Sequence, residues 1–112
     1  MTGTPKGDPI EAEALARTFG QFRPAEDPIL VGSVKTNIGH TEPVSGIAAI
    51  IKATLALKHG IIPGNLNYDI PHESIRLRDW NLAVPTSSMP WPNDKPLRAS
   101  VNNFGYGGAN AQ

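Results

Sequence analysis

Residues 33–60 read SVKTNIGHTEPVSGIAAIIKATLALKHG. The apolar run Ile29–Val34 leads into this stretch and predicts a short strand covered on both faces. A loop, Lys35 to His40, follows. A helix then runs from Thr41 or Glu42 to His59, with Gly60 as its C-terminal stop. Val44, Ile47, Ala48, Ile51 and Leu55 share one helix face, and Ile50, Ala53, Ala56 and Leu57 cover much of the rest, so this helix is expected to be buried. Lys35 and His40 lie five positions apart on a Gly-containing bend. That spacing suits either a solvated turn or a catalytic pair, and the segment alone favours the turn.

Working outward, Asp8-Pro9 predicts a helix start, with Asp8 as N-cap and Pro9 at the first helical position. Ile10, Ala14, Leu15 and Phe19 form its apolar stripe, and Gly20 ends it. Leu82–Val84 and Leu97–Asn103 read as strands. PTSSMPWPNDKP, residues 85–96, reads as a Pro-rich surface connection. The chain closes on the Gly-rich NNFGYGGANAQ. Helix, strand, helix and further strands predict one α/β domain with a layered but incomplete sheet.

The chain has 112 residues, 39% hydrophobic and 18% charged, which places it among globular sequences. Ten basic and ten acidic side chains cancel, so no net charge draws it to nucleic acid or an anionic membrane. The longest apolar-rich run is interrupted by Lys52 and is too short to span a bilayer. The N-terminus lacks the apolar core of a signal peptide, and a cytoplasmic location is expected. There is no cysteine, which excludes disulfides, thiolate metal sites and a cysteine nucleophile within this chain.

Several motif-like stretches fail. TGTPKGD lacks the Gly-Lys-Ser/Thr of a phosphate loop, and GYGGAN has Asn110 where a dinucleotide fingerprint needs its third Gly. His72-Glu73 opens like a zincin motif, but Arg76 occupies the second His position. His40, His59 and His72 lack ligand spacing, so no metal site is expected. His40 precedes a helix N-terminus, where the dipole favours a neutral ring able to donate to a developing oxyanion. Lys35 adds positive charge to the same loop, and Glu11 is placed to pair with it. FGYGG allows unusual backbone angles and close approach of a ligand, but for a single Gly-rich loop a tight turn between strands is the more usual account.

Three segments in order, TGTPKGDPIEAEAL, GSVKTNIGHTEPVSGIAAIIKATLALKHGIIP and SVNNFGYGGANA, resemble the C-terminal part of β-ketoacyl synthases. The resemblance covers nearly the whole chain, residues 1–112, as a partial ketosynthase C-terminal domain. NLNYDIP, IRLRDWNLAVP and DKPLRASVNNFGYGGANA look most like fungal, highly reducing iterative polyketide synthases. The resemblance implies a thiolase-like fold and a decarboxylative Claisen condensation. A cysteine carries the acyl chain, two histidines promote decarboxylation of a malonyl unit, and the carbanion extends the chain.

Residue by residue, the resemblance implies that His40 is the second catalytic His, Lys35 the active-site Lys and Glu11 its acidic partner. Thr2 and Thr4 fall where the family contacts the phosphopantetheine arm or the substrate. Phe104 and Tyr106 fall at an aromatic gate where Phe is commoner than Tyr, and the Tyr106 amide would help build the oxyanion hole.

No cofactor is expected on the chain itself; its substrates would ride on the phosphopantetheine of an acyl carrier protein. The implied partners are the N-terminal half of the ketosynthase, the acyl carrier protein and the acyltransferase domain of the same synthase, with the whole domain a homodimer.

The departures count as well. The family's HGTGT begins here with Met1 before Thr2-Gly3-Thr4, so the first catalytic His is absent, and Gln112 stands where the family has a His. The expectation is a domain cut at both ends and inactive alone. Its rival is a non-catalytic partner that complements an N-terminal ketosynthase half or binds carrier protein.

Overall fold

A computed structural model describes residues 3–112. Helix α1, Gly7–Thr18, is followed by a 3-10 turn at Gly20–Phe22 and strand β1, Ile29–Leu30. A short helix α2, Lys35–Ile38, and a 3-10 turn, Glu42–Val44, lead into α3, Ser45–His59. Strands β2 (Ile61–Ile62), β3 (Leu82–Ala83), β4 (Met89–Pro90), β5 (Asn103–Phe104) and β6 (Asn110–Ala111) complete the chain. The strands form three two-stranded pairs: β1 with β3 in parallel, β2 with β4 and β5 with β6 antiparallel. The class is α/β, as the element pattern predicts.

The core is small. Ala12, Ala16 and Leu82 are buried, with Leu15, Ile29, Val31, Ile75, Leu77 and Trp80 packed against them. The inward face of α1 is therefore the i, i+3, i+4 set Ala12, Leu15 and Ala16. The stripe expected through Ile10 is displaced, and Ile10 is 69% exposed. The start of α1 also differs from expectation. Thr4 Oγ1 accepts the Gly7 N–H at 3.1 Å, while both Asp8 carboxylate oxygens reach back to the Gly3 N–H, at 3.1 and 3.0 Å. The hydroxyl does the capping, and Asp8 sits in the first turn, where the helix dipole favours it.

The strand expected through Val34 stops at Leu30. The Val31 N–H still reaches Ala83 O, but Ser33 turns its N–H to the Asn65 side chain. Leu30 is exposed, so β1 is covered on one face only among the described residues. The loop expected at 35–40 begins as a helical turn, because Ser33 Oγ accepts the Lys35 N–H at 3.2 Å and starts α2. The Pro-rich connection supplies β4, and the strand expected at 97–103 is reduced to β5.

Helix α3 ends as its sequence predicts. Gly60 adopts a left-handed φ of 63°, and its N–H reaches the Ala56 and Leu57 carbonyls. The helix is not buried, however. Ile47, Ile50, Ile51 and Leu55 are all about half exposed or more, since nothing among the described residues packs over that face. Ile51 and Leu55, with Val34, Ile38 and Ile61, border an open apolar groove of about 610 Å³ between α2 and α3.

Candidate functional site

Gly39 has φ 77° and ψ −175°, a region open almost only to glycine, and Glu42 has φ 46°. These two positions reverse the chain on either side of His40. The exposed imidazole accepts the Glu42 N–H at Nδ1, 3.1 Å. An Nδ1 that accepts carries no proton, so this bond favours the tautomer with its N–H at Nε2. The loop thus presents one N–H donor at the head of α3. His72 makes the same turn with Ser74, at 3.2 Å, away from any such helix. The turn is therefore a local device, and its placement gives His40 its chemical interest. Next to it, the Thr41 hydroxyl is buried with no partner among the described residues.

Lys35 is half-buried on α2, and its carbonyl accepts the Gly39 N–H at 2.9 Å, closing the helical turn that delivers His40. Glu11 is half-buried on α1. No ion pair joins it to Lys35 among the described residues. Thr4 is exposed and occupied as the cap of α1. Thr2 lies outside the described residues.

The Gly-rich end folds into the β5–β6 hairpin, closed by the Gly105 N–H on Ala109 O at 2.9 Å. A Cβ on Gly105 would come within 2.8 Å of that oxygen, so the close approach requires glycine. Gly107 and Gly108 take φ of 72° and 82°. Phe104 is 57% exposed and Tyr106 fully exposed at the tip.

The hairpin is joined to the first turn of α3 by a part-buried hydrogen bond. The Ser45 hydroxyl, in the first turn of α3, donates to Asn103 Oδ1 at 3.3 Å. A Cβ on Gly46 would stand 3.2 Å from Asn103 Nδ2, so a small residue is needed there. The two sequence-predicted elements, NIGH and FGYGG, are thus brought to one end of α3.

Residues that sequence reasoning did not single out hold the loop in place. Lys52 Nζ donates to Ser33 O and to Asn37 Oδ1, both at 3.2 Å. Burial pushes its amine below the usual lysine value. Asn65, 6% exposed, accepts the Ser33 N–H and donates to Val31 O and Pro85 O. The one signal for Lys52 was its position as the only charge between Val44 and Leu57. Asn65 lies in a Gly-Asn-Leu-Asn stretch that reads as an ordinary turn.

Residues 1–69 match the family described as beta-ketoacyl synthase, C-terminal domain. The chain is 64% identical over 110 residues to the highly reducing polyketide synthase pks5 of Leptosphaeria maculans, covering 98% of this chain and 4% of that protein. It is 54% identical over 112 residues to a highly reducing polyketide synthase of Aspergillus terreus, with the same coverage of 98% and 4%. The ketosynthase from module 6 of the bacillaene synthase of Bacillus subtilis 168 superposes with a TM-score of 0.86 at 40% identity, over 97% of this chain and 20% of that one. Ketosynthase twelve of the bacillaene polyketide synthase of Bacillus amyloliquefaciens gives a TM-score of 0.85 at 35% identity, over 96% and 19%.

The chain belongs to the β-ketoacyl synthase family and carries part of its thiolase-like fold. It spans about 4% of the length of the curated relatives it matches.

Proposed function

We propose that this chain supplies the histidine-loop part of a ketosynthase site that condenses acyl thioesters in polyketide assembly. One observation carries this reading: the Glu42 N–H occupies His40 Nδ1 at the head of α3, which leaves Nε2 as the ring nitrogen for donation. In the reaction, the malonyl thioester loses CO2. The electron pair of the broken C–C bond moves onto the thioester oxygen as an enolate. His40 Nε2–H donates to that oxygen and stabilises the charge. The enolate carbon then attacks the acyl thioester, a new C–C bond forms, and the cysteine thiolate departs.

The chain has no cysteine, so the thiolate is supplied by another part of the synthase. Lys35 and Glu11 set the field around the loop without transferring protons. The Tyr106 amide contributes to the oxyanion hole of the condensation step, with Phe104 and Tyr106 bordering the acyl channel. Thr2 and Thr4 contact the phosphopantetheine arm of the acyl carrier protein. The chain, residues 1–112, then acts as a partial ketosynthase C-terminal domain and binds no cofactor of its own. Its partners are an N-terminal ketosynthase half, the carrier protein and an acyltransferase domain, in a cytoplasmic homodimeric synthase.

The test replaces His40 by Ala in the ketosynthase that carries this chain. Release of CO2 from malonyl-carrier protein is expected to fall by about 10²–10³-fold while the thiol still acylates. Release within a few-fold of the parent would overturn the reading. A second reading, complementation of an N-terminal half without catalysis, is favoured by the open apolar face of α3. The isolated chain takes up no acyl label in either case. A mixture with the N-terminal half that remains active with His40→Ala would favour this second reading.

A further inference from the structure

Ser33 stands where β1 gives way to α2, and each of its polar atoms is engaged. Its N–H donates to Asn65 Oδ1 at 2.9 Å. Its carbonyl accepts from Lys52 Nζ at 3.2 Å and from Thr36 Oγ1 at 3.0 Å. Its hydroxyl accepts the Lys35 N–H at 3.2 Å. Two of these partners come from outside the segment. Lys52 reaches in from α3, and Asn65 from the stretch after β2.

Each outside partner also grips something else. Lys52 holds Asn37 Oδ1, so one ammonium group spans the start and middle of α2. Asn65 holds Val31 O and Pro85 O, so one amide group spans the ends of the β1 and β3 segments. An ammonium on the wall of an apolar groove is costly unless its hydrogen bonds are made, and an apolar residue would fill the space more favourably. The gain from having a lysine here is the pair of bonds to the loop, rather than packing.

We propose that Lys52 and Asn65 are positioning residues for the condensation, clamping Ser33 from two sides so that α2, Gly39 and His40 hold their place against α3. Neither touches the reacting atoms. The inference rests on the reading of His40 as the decarboxylation donor. A donor displaced by about 1 Å loses up to about 10²-fold in rate, which is the sensitivity that the clamp protects against.

The experiment uses the ketosynthase that carries this chain, with Lys52→Met, Lys52→Arg, Asn65→Ala and His40→Ala. Thiol acylation and malonyl-carrier decarboxylation are measured separately. Lys52→Met is expected to slow decarboxylation by about tenfold, with KM and acylation within about twofold of the parent. Lys52→Arg, which keeps the donors, recovers most of the rate. Asn65→Ala shows the same split if it folds, and the Lys52 pair decides the matter if it does not.

Decarboxylation within twofold of the parent in Lys52→Met overturns the clamp. So does an equal loss of acylation and decarboxylation, which marks a merely structural role. If His40→Ala retains decarboxylation, the reading of His40 falls and the clamp with it. If His40→Ala is inactive and Lys52→Met is not, only the clamp falls.

Discussion

The Ser45 hydroxyl donates to Asn103 Oδ1 at 3.3 Å, joining two residues 58 positions apart in the chain. It links the first turn of the helix that follows His40 to the hairpin that carries Tyr106. Ser45 is 6% exposed, so the bond is sheltered from competing water. Ser45→Ala leaves the Asn103 oxygen without this donor, and a loss of about 1 kcal/mol is expected. Urea denaturation of the ketosynthase carrying this chain checks the size. An unchanged midpoint would show that the link contributes nothing.

Gly39 makes a separate prediction, because no atom lies within 4 Å of where its Cβ would be. The cost of Gly39→Ala is therefore conformational, about 1–3 kcal/mol from its φ of 77° with ψ near 180°. If the loop relieves that strain by moving, His40 leaves its bond to Glu42. Decarboxylation should fall more than acylation, and an equal fall in both would argue against a role for the bend in presenting His40.

At Gly20 the constraint is steric. A Cβ there would sit 2.3 Å from the Trp80 carbonyl oxygen, and backbone cannot move aside cheaply. The Gly20 carbonyl is itself held by Asn81 Nδ2 at 3.1 Å. Gly20→Ala is expected to destabilise by about 1–3 kcal/mol through overpacking. A thermal midpoint equal to the parent would contradict the close approach.

Asp27 closes a clip on Lys95 and on Arg23, the latter at 3.1 Å. The hydrogen bond from Lys95 holds its carboxyl below the usual 3.8, with burial opposing and the Arg23 charge assisting. A lowered carboxylate stabilises the fold fully above 3.8, and that contribution is lost as pH falls through the lowered value. Asp27→Asn should therefore be less stable than the parent at neutral pH, with the gap closing in acid. A gap that stays constant with pH would dismiss the clip.

Alkaline pH separates two half-buried groups with opposite effects. Burial lowers Lys52 from its usual 10.5, so the unfolded chain holds that proton longer, and stability rises with pH up to 10.5. Burial raises Tyr68 from its usual 10.0, so the unfolded chain loses that proton first, and stability falls above 10.0. Tyr68 is common to the parent and Lys52→Met, so their difference isolates the lysine. The parent should gain on the variant as pH rises to 10.5, and a flat difference would contradict the burial of the amine.

Much of the fold was legible because it is written locally. Gly60 ends α3 where a left-handed cap is needed, and the apolar run of 44–57 is helical as its periodicity predicts. The bend before His40 was legible for a similar reason, since NIGH joins a glycine that permits the bend to a histidine that follows it. The strands were read poorly. β1 and β3 are two residues each, and their pairing at Ile29 with Leu82 depends on chain segments far apart. The face of α1 was misplaced because Ala12 and Ala16, small and unremarkable in sequence, are what fit beneath Leu82.

By itself the sequence determined the family, the α/β class and the C-terminal end of the main helix. Each of these rests on residue type and near-neighbour spacing. Only the tertiary structure decided how the His40 loop is held: by Lys52 across 19 positions, Asn65 across 32 and the Ser45–Asn103 link across 58. Hydrogen bonds between distant segments leave no periodic trace. A lysine in an apolar run and an asparagine in a turn acquire their roles only when folding brings Ser33 between them.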